Sequence, residues 1–195
     1  MQDRRRVGGG ASGVTLIELV MVLAMIGIVA AIGLPRIDLA RYQIDGAMQG
    51  VGTSLMVAQR LAVTRQYDVA VRFDLSGQAL LIHEDANNNG QVDANERVRR
   101  VVLGEKVVFG RGSAPAAPAV GSANPITFTK TAEGFPVVTF HRNGSASEAG
   151  GFYLTSRRAL TTGLHSDDAR AVEIERATGR VAWYRYGNGT WTRKY

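Results

Sequence analysis

The chain has 195 residues, no cysteine and a formal net charge of +6 at pH 7. The lack of cysteine excludes a disulfide framework and every thiolate metal ligand or nucleophile. The mild positive charge permits contact with anionic partners, but solubility alone explains it. The length suffices for one domain with a sizeable core and one long helix.

The most apolar part of the chain follows a basic, glycine-rich leader. Three arginines at positions 4–6 precede residues 14–34, which are apolar apart from Thr15 and Glu18. About 20 apolar residues at about 1.5 Å each span the roughly 30 Å hydrocarbon core of a bilayer. The sequence therefore predicts a single membrane-spanning helix, with the arginines on the cytoplasmic side.

Glu18 is the one ionisable residue of this apolar segment. A carboxylate inside an apolar run costs a few kcal/mol and usually has a partner. Cleavage after Gly13 would give Val14 a new ammonium group one helical turn from Glu18, in the same molecule or in a neighbour. Two alternatives stay open at this point: an ordinary signal anchor, and a secretory signal cleaved after residues 29–31.

The stretch GVTLIEL at residues 13–19 resembles the cleavage and methylation motif of type IV prepilins and type II secretion pseudopilins. The resemblance implies that a prepilin peptidase of the inner membrane removes the leader, residues 1–13, by cutting after Gly13 and methylates the amine of Val14. It also implies that Glu18 meets the N-terminal amine of an adjacent subunit in a helical filament of pilins or pseudopilins. Val14 departs from the family, which usually has phenylalanine there.

Residues 35–65 change from wholly apolar to amphipathic, and we expect one long helix to continue from the membrane segment to about Arg65. Pro35 lacks an amide hydrogen and should bend this helix, and Gly27 weakens the segment before it. This resembles the region of pilins that unwinds on assembly; a passive kink is the alternative. Apolar residues recur at the helical period: Ile37, Ala40, Ile44, Met48, Val51, Leu55, Ala58 and Ala62.

Beyond Arg65 the apolar period becomes two, which predicts strands. Segments 67–73 and 78–83 form a predicted hairpin, and 97–103 with 107–109 a second pair. Residues 110–125, rich in Gly, Ala and Pro, are predicted to be a surface loop. No later segment is long and periodic enough for a helix, so residues 66–195 are expected to be an all-β head. The other predicted strands are 126–129, 137–141, 151–155, 171–176 and 180–186.

The helix end at 55–65, segment 138–151 and the turn at 179–181 resemble the GspH/FimT family of minor pseudopilins and minor pilins. The resemblance implies a pilin-like α+β fold, in which a long N-terminal transmembrane and amphipathic helix packs on an all-antiparallel β head domain. It implies a minor pseudopilin of type II secretion that helps to export folded proteins. A protein of this kind would cross the bacterial inner membrane once, with its C-terminal head in the periplasm. The alternative is a FimT-type minor type IV pilin that binds DNA during uptake.

Residues 85–96 have the oxygen spacing of a twelve-residue calcium loop, with Gly90 at the sharp turn. Two positions that are often aspartate are asparagine here, and no helix pair flanks the loop. A polar hairpin turn with Asn and Gly in left-handed conformations is the alternative. Calcium is the only cofactor that the sequence suggests. The candidate ligands are Asp85, Asn87, Asn89, Gln91 through its backbone carbonyl, Asp93 and Glu96.

The last twenty residues contain five cations, five aromatic residues and no acid. Cations neutralise phosphates and aromatic faces stack on bases, so this composition suits nucleic-acid contact. The pair at 179–180 matches part of the GRxR motif of FimT-type pilins, but Ala182 stands at its second arginine. An edge hairpin with its aromatic side chains toward the core and its arginines toward solvent is the competing interpretation. In the DNA alternative, the binding cations would be Arg180, Arg185, Arg193 and Lys194.

The sequence gives no support for catalysis. Its three histidines, His83, His141 and His165, lie far apart without the spacing of metal ligands. The glycines of the leader lack the Lys-Ser/Thr of a phosphate loop, and no Gly-x-Ser-x-Gly nucleophile elbow occurs. We expect a structural subunit, which is the substrate of an enzyme rather than an enzyme.

Overall fold

The computed structural model describes residues 13–33 and 39–194. The chain divides into two units, one before Leu39 and one from Leu39 onward. In the first unit, helix α1 spans Leu16–Gly33. Within the two described ranges, no helix combines the length and apolar content needed to cross a membrane. Pro35 and the bend predicted there lie outside these ranges.

The second unit begins with helix α2, Leu39–Arg65, which ends where the sequence predicts. The residue after it, Gln66, has a φ of +60°, a left-handed conformation that is common just past a helix end. The apolar stripe found in the sequence becomes the buried face of α2. Its buried residues are Ile44, Met48, Val51, Gly52, Ser54, Leu55, Ala58 and Ala62.

The regular secondary structure after α2 consists of strands and one short α-helix. They are β1 (Asp68–Asp74), β2 (Ala79–Asp85), β3 (Arg97–Val102), β4 (Val107–Phe109), β5 (Thr131–Ala132), β6 (Phe135–Phe140), β7 (Gly150–Ser156), α3 (Arg157–Thr162), β8 (Arg170–Ile174), β9 (Val181–Gly187) and β10 (Thr190–Lys194). A 3-10 turn at Ser166–Asp168 precedes β8. The strands form two antiparallel sheets, ordered β3-β2-β1-β6-β5 and β10-β9-β8-β7-β4.

The main core is shared by α2 and both sheets. Phe73 of β1 stacks on Phe128 with ring centroids 5.3 Å apart, and its centroid is 5.0 Å from that of Phe152 in β7. Leu55 and Ala58 of α2 are fully buried in the same core. Burying Leu and Phe side chains contributes about 1.5–3 kcal/mol each, so α2 is an integral part of the head.

Several predicted strands are confirmed. The predicted hairpin is β1 and β2, paired antiparallel from Asp68 opposite Asp85 to Asp74 opposite Ala79. Segments 137–141, 151–155, 171–176 and 180–186 correspond to β6, β7, β8 and β9, with ends displaced by one or two residues. Period-two patterns therefore located these strands to within two residues at each end.

The predicted second pair, 97–103 with 107–109, is wrong. β3 pairs with β2 in one sheet, whereas β4 pairs with β7 in the other. Gly104 lies between them with a φ of +98°, a conformation that few residues other than glycine adopt. The chain therefore passes from one sheet to the other at this point instead of turning back on itself.

The predicted strand at 126–129 is also wrong. Only Ile126 makes a bridge, to Phe152. The partner of β6 on this side is β5, through a tight turn in which Glu133 and Gly134 have φ values of +51° and +81°. Positive φ at both central residues is the hairpin turn geometry usually marked by Asn-Gly, so the Glu-Gly pair concealed it.

The predicted loop at 110–125 has no helix or strand, but it is not confined to the surface. Ala114 and Ala117 are buried, and Tyr153 anchors the loop from β7. The Tyr153 hydroxyl accepts a hydrogen bond from the Ala117 amide at 2.9 Å and donates one to the Ser122 carbonyl at 2.7 Å.

The expectation that the head has no further helix fails at α3. Ser156 caps its start by accepting a hydrogen bond from the Ala159 amide at 3.1 Å. Gly163 ends it with a φ of +67° and donates its amide to the Ala159 carbonyl. A serine N-cap and a glycine after the last turn are readable sequence signals. They were missed because six residues show no clear helical period.

Candidate functional site

The predicted processing and assembly residues lie at the start of α1. Gly13 and Val14 precede the helix, and Glu18 lies in its first turn. Thr15 caps the helix, because its hydroxyl accepts the Glu18 amide at 3.3 Å and its carbonyl accepts the Leu19 amide at 3.1 Å. Thr-x-x-Glu is the sequence pattern of a capping box, of which the Thr15 hydrogen bond is formed here, and a carboxylate in the first turn is favourable toward the helix dipole. Glu18 thus has a local role that the sequence analysis missed.

The large apolar side chains from Val14 to Val29 are all exposed, by 51% to 81%. They surround the helix instead of forming a stripe. Soluble monomers rarely expose an apolar surface of this extent, and helices apolar on all sides are normally buried in protein or lipid. Gly27 lies in this helix, and a Cβ built on it would meet nothing within 4 Å. We infer that α1 is a surface for contact with an apolar environment.

Ion pairs connect the first turns of α2 to the 3-10 turn before β8 and to the first residue of β8. Arg41 Nη2 lies 3.1 Å from Asp167 Oδ2, and Arg170 Nε donates to Asp45 Oδ1 at 2.8 Å. Asp168 is fully buried; it accepts from the Ser156 hydroxyl and from Arg158 Nε at 2.9 Å. A buried charge is tolerated when it is paired and hydrogen-bonded, so this network positions the helix on the head.

A groove of about 520 Å³ lies between the first turns of α2 and the strands β9 and β10. It is called the α2–β9 groove here, and its principal residues are Tyr42, Asp45, Arg170, Trp183, Arg185 and Lys194. Its charged side chains are three cations and one carboxylate. This volume is within the roughly 300–1,000 Å³ of typical ligand pockets. No single sequence segment predicted this site, because α2 and the C-terminal strands assemble it.

The C-terminal cations do not share one surface. Side chains alternate along a strand, so Trp183 and Arg185 lie on the α2 side of β9, and Lys194 joins them opposite Trp183. Arg193 lies on the other side of the hairpin. Arg180 Nε is 3.4 Å from Glu175 Oε2. Arg185 and Lys194 therefore lie on one face of the hairpin and Arg193 on the other, while Arg180 is engaged in an ion pair.

The predicted edge hairpin is present, but not with its aromatic residues on one face. β10 is the edge strand and pairs with β9. The ring of Trp183 packs against the main core, whereas Tyr184, Tyr186 and Trp191 pack against smaller clusters on the opposite face. Because both faces of the hairpin cover apolar residues, the expected separation of aromatic and cationic faces is wrong.

In the predicted calcium loop, the oxygen atoms are engaged in hydrogen bonds. Asp85 accepts the amides of Asn89 and Gly90 at 3.0 and 2.8 Å. The side-chain amides of Asn87 and Asn89 both donate to Asp93 Oδ2. Across residues 13–33 and 39–194, no group of three or more His, Cys, Asp or Glu side chains is placed to hold a metal. Calcium binding, including through the carbonyl of Gln91, is predicted from sequence spacing alone, and within the chain hydrogen bonds already engage Asp85, Asp93 and Glu96.

Glu96 closes this loop against the outer face of the first sheet. His83 is fully buried, and its Nδ1 lies 3.1 Å from Arg72 Nη2. A guanidinium can only donate, so Nδ1 accepts and Nε2 donates to Glu96 Oε2 at 2.6 Å. This hydrogen bond, with the amides of Asp93 and Ala86, lowers the pKa of Glu96 below its usual value. Arg72 also pairs with Glu133 at 2.6 Å, which extends the network to the β5–β6 turn.

Known proteins share the fold described above. The model of the family described as type II transport protein GspH matches residues 47–178, more than half of the chain. Among solved structures, the minor pseudopilin EpsH from the type 2 secretion system of Vibrio cholerae is similar in fold, with a TM-score of 0.51 at 13% sequence identity. The match covers 75% of this chain and 99% of that chain, and it confirms the pilin-like α+β fold. No curated protein matches this chain significantly in sequence. The chain belongs to the GspH family of type II transport proteins.

Proposed function

We propose that this chain is a minor pseudopilin, a structural subunit of the type II secretion pseudopilus that helps to export folded proteins. Membership of the GspH family and the fold shared with a minor pseudopilin support the proposal. The observation that carries it is the exposure of the large apolar side chains on all sides of α1 from Leu16 to Val29. Such a helix is stabilised by lipid or by neighbouring apolar helices, and a filament in a membrane supplies both.

We infer that a prepilin peptidase cuts after Gly13 and methylates Val14. Both residues precede the first turn of α1, in backbone that belongs to no helix or strand, so a protease could bind the bond between them in an extended form. The cut would place a new amine four residues before Glu18. The inference rests on the motif in the sequence and on this accessible geometry.

We propose that Glu18 sets the axial register between subunits. Inside an apolar environment an unpaired carboxylate is costly, and the amine of a neighbouring Val14 would neutralise it. Only one displacement of two neighbouring helices brings these groups together. Gly27 and Pro35 would let the segment between them adapt as the helices pack, since neither supports a regular helix well.

The proposed location is the bacterial inner membrane, crossed once by residues 14–34, with the C-terminal head in the periplasm. This segment continues past the last described residue of α1. The arginines at 4–6 would stay on the cytoplasmic side. Its partners would be other pseudopilins and the peptidase, and the chain would have no enzymatic activity of its own.

The alternative role, a FimT-type minor pilin that binds DNA, has less support. It requires Arg180, Arg185, Arg193 and Lys194 to face one strand of nucleic acid. In the hairpin, Arg185 and Lys194 line the α2–β9 groove, and Arg180 pairs with Glu175. Binding to the phosphates of a nucleic acid depends on several cations that act together. The separation of these four cations therefore weakens the alternative.

Replacing Glu18 by alanine tests the proposed role. We expect Glu18→Ala to reach the membrane fraction in wild-type amounts but to be depleted from cross-linked pseudopilus assemblies. Thr15→Ala is the matched control, because it removes the side-chain cap of α1 and keeps the carboxylate. It should assemble nearly as well as the wild type. Wild-type assembly of Glu18→Ala would contradict the register role, as would equal losses in the two variants.

A further inference from the structure

We propose that the α2–β9 groove binds the phosphate headgroup of an anionic phospholipid at the membrane surface. The inference rests on the proposed function, since it requires α1 to be held in a bilayer. It assigns a ligand to a site on the head that is separate from the helix responsible for assembly. The chemistry of the groove and its place in the sequence support it.

Arg170 is the buried cation of the groove. Its side chain is 2% exposed and lines the groove, and its Nε donates to Asp45 Oδ1. Its Nη2 lies 2.8 Å from the same oxygen but outside hydrogen-bond geometry, and within the described chain this buried nitrogen has no hydrogen-bond partner. Asp45 therefore neutralises the buried Arg170 guanidinium by an ion pair. The other two cations of the groove, Arg185 and Lys194, remain to attract an anion such as a phosphate.

The rest of the groove suits an anion attached to an apolar body. Arg185 and Lys194 add two cations, so the charge of the site exceeds what Asp45 neutralises. Trp183 and Tyr42 also line the groove, and Tyr42 is 71% exposed. Tryptophan and tyrosine are enriched at the boundary between headgroups and hydrocarbon, where long cationic side chains also extend to phosphates.

The position of the groove in the chain favours a lipid over other anions. Tyr42 and Asp45 lie in the first turns of α2, and only five residues of sequence separate α2 from α1. At roughly 3.6 Å per residue, that connection keeps the start of α2 close to any bilayer that holds α1. A headgroup is then present at high local concentration, whereas a nucleic acid or an acidic peptide would have to diffuse in.

Hydrogen exchange of the full chain in lipid nanodiscs tests the proposal. Nanodiscs of phosphatidylcholine alone are compared with nanodiscs that also contain phosphatidylglycerol. We expect phosphatidylglycerol to slow amide exchange in residues 39–49 and 181–194 but not in the β1–β2 hairpin. Each cation near an anionic surface strengthens binding about fivefold, so Arg185→Gln/Lys194→Gln should abolish most of the slowing.

Arg97→Gln/Arg99→Gln is the matched control, because it removes the same charge from β3, at the edge of the other sheet. It should keep the response to phosphatidylglycerol. Equal exchange in both lipids would overturn the proposal, and so would an equal loss in the two double variants. Slowing by single-stranded DNA or an acidic peptide without slowing by phosphatidylglycerol would overturn it as well. Failure of the full chain to co-elute with nanodiscs would instead contradict the proposed function itself, so the two failures are distinguishable.

Discussion

Gly52 of α2 packs directly against the indole of Trp183 in β9. A Cβ built on Gly52 would lie 1.7 Å from Cζ3 of that ring, a distance that no packed structure tolerates. Glycine therefore allows the C-terminal hairpin to approach the helix. The close approach fixes the position of Trp183 and, with it, one wall of the α2–β9 groove.

We expect Gly52→Ala to destabilise the head by about 1–3 kcal/mol, because the ring and the helix must separate to admit a methyl group. Urea unfolding followed by tryptophan fluorescence measures this change. Gly50→Ala is the control on the same helix, since Gly50 is exposed and its Cβ would meet nothing within 4 Å. That substitution should stabilise the helix by up to about 1 kcal/mol. Similar effects of the two variants would refute the packing explanation.

The adjacent residues Asp167 and Asp168 should respond very differently to neutralisation. Asp168 is fully buried and hydrogen-bonded to Ser156 and Arg158, so Asp168→Asn should cost about 3–5 kcal/mol of unfolding free energy. The Asp167 side chain is 39% exposed, and Asp167→Asn should cost at most about 1 kcal/mol. Chemical denaturation of both variants gives the comparison. A loss at Asp168 no larger than that at Asp167 would show that the buried network does not stabilise the head.

Glu96 should make the head sensitive to acid. The hydrogen bond from His83 lowers the pKa of Glu96 in the folded state below the pKa that this carboxyl has in the unfolded chain. A lowered pKa means that the unfolded chain binds the proton more readily than the folded chain. The stability that Glu96 contributes is therefore fully present above the unfolded-state pKa. It is lost as the pH falls through the folded value. The acid-induced decline in thermal midpoint should therefore become shallower in Glu96→Gln.

The exposed carboxylate of Glu105 supplies the control for that measurement. Glu105→Gln also removes one carboxyl group, but from an exposed position. The variant should retain the wild-type decline between about pH 5 and pH 2. If Glu96→Gln follows the same curve as the wild type, the pair formed by His83 and Glu96 is not a source of acid sensitivity.

Calcium should have little effect on the head. Both carboxylates at the ends of the predicted loop, Asp85 and Glu96, already accept several hydrogen bonds from the chain. Bidentate coordination by Glu96 would compete with the hydrogen bonds that it accepts from His83 and from two backbone amides. We therefore expect no binding heat in a calorimetric titration with millimolar calcium. Measurable heat that disappears in Glu96→Gln would instead establish residues 85–96 as a calcium loop.

The sequence predicted best what depends on neighbouring residues. The end of α2 at Arg65 and the β1–β2 hairpin follow from local period and turn chemistry. The partner of β3 did not follow, because its three valines indicate a strand but carry no information about which strand it joins. Gly104, with a φ of +98°, lies where the chain leaves β3 and passes to the other sheet at β4.

The α2–β9 groove could not be predicted, because residues that are far apart in the sequence form it. Arg170 and Asp45 meet although they are 125 positions apart, and Trp183 reaches α2 through a third element. The basic C-terminus was visible in composition, yet composition could not show that strand alternation sends Arg185 and Arg193 to opposite faces. The motif from Gly13 to Glu18, by contrast, needs no tertiary structure to be recognised.

We propose that a peptidase converts this chain into a filament subunit that begins at Val14. Mass spectrometry of the protein recovered from its host membranes measures where the mature chain starts. We expect an N-terminal peptide that starts at Val14 and carries one additional methyl group on its amine. Protein that still begins with the leader arginines, or that begins beyond residue 31, would contradict it.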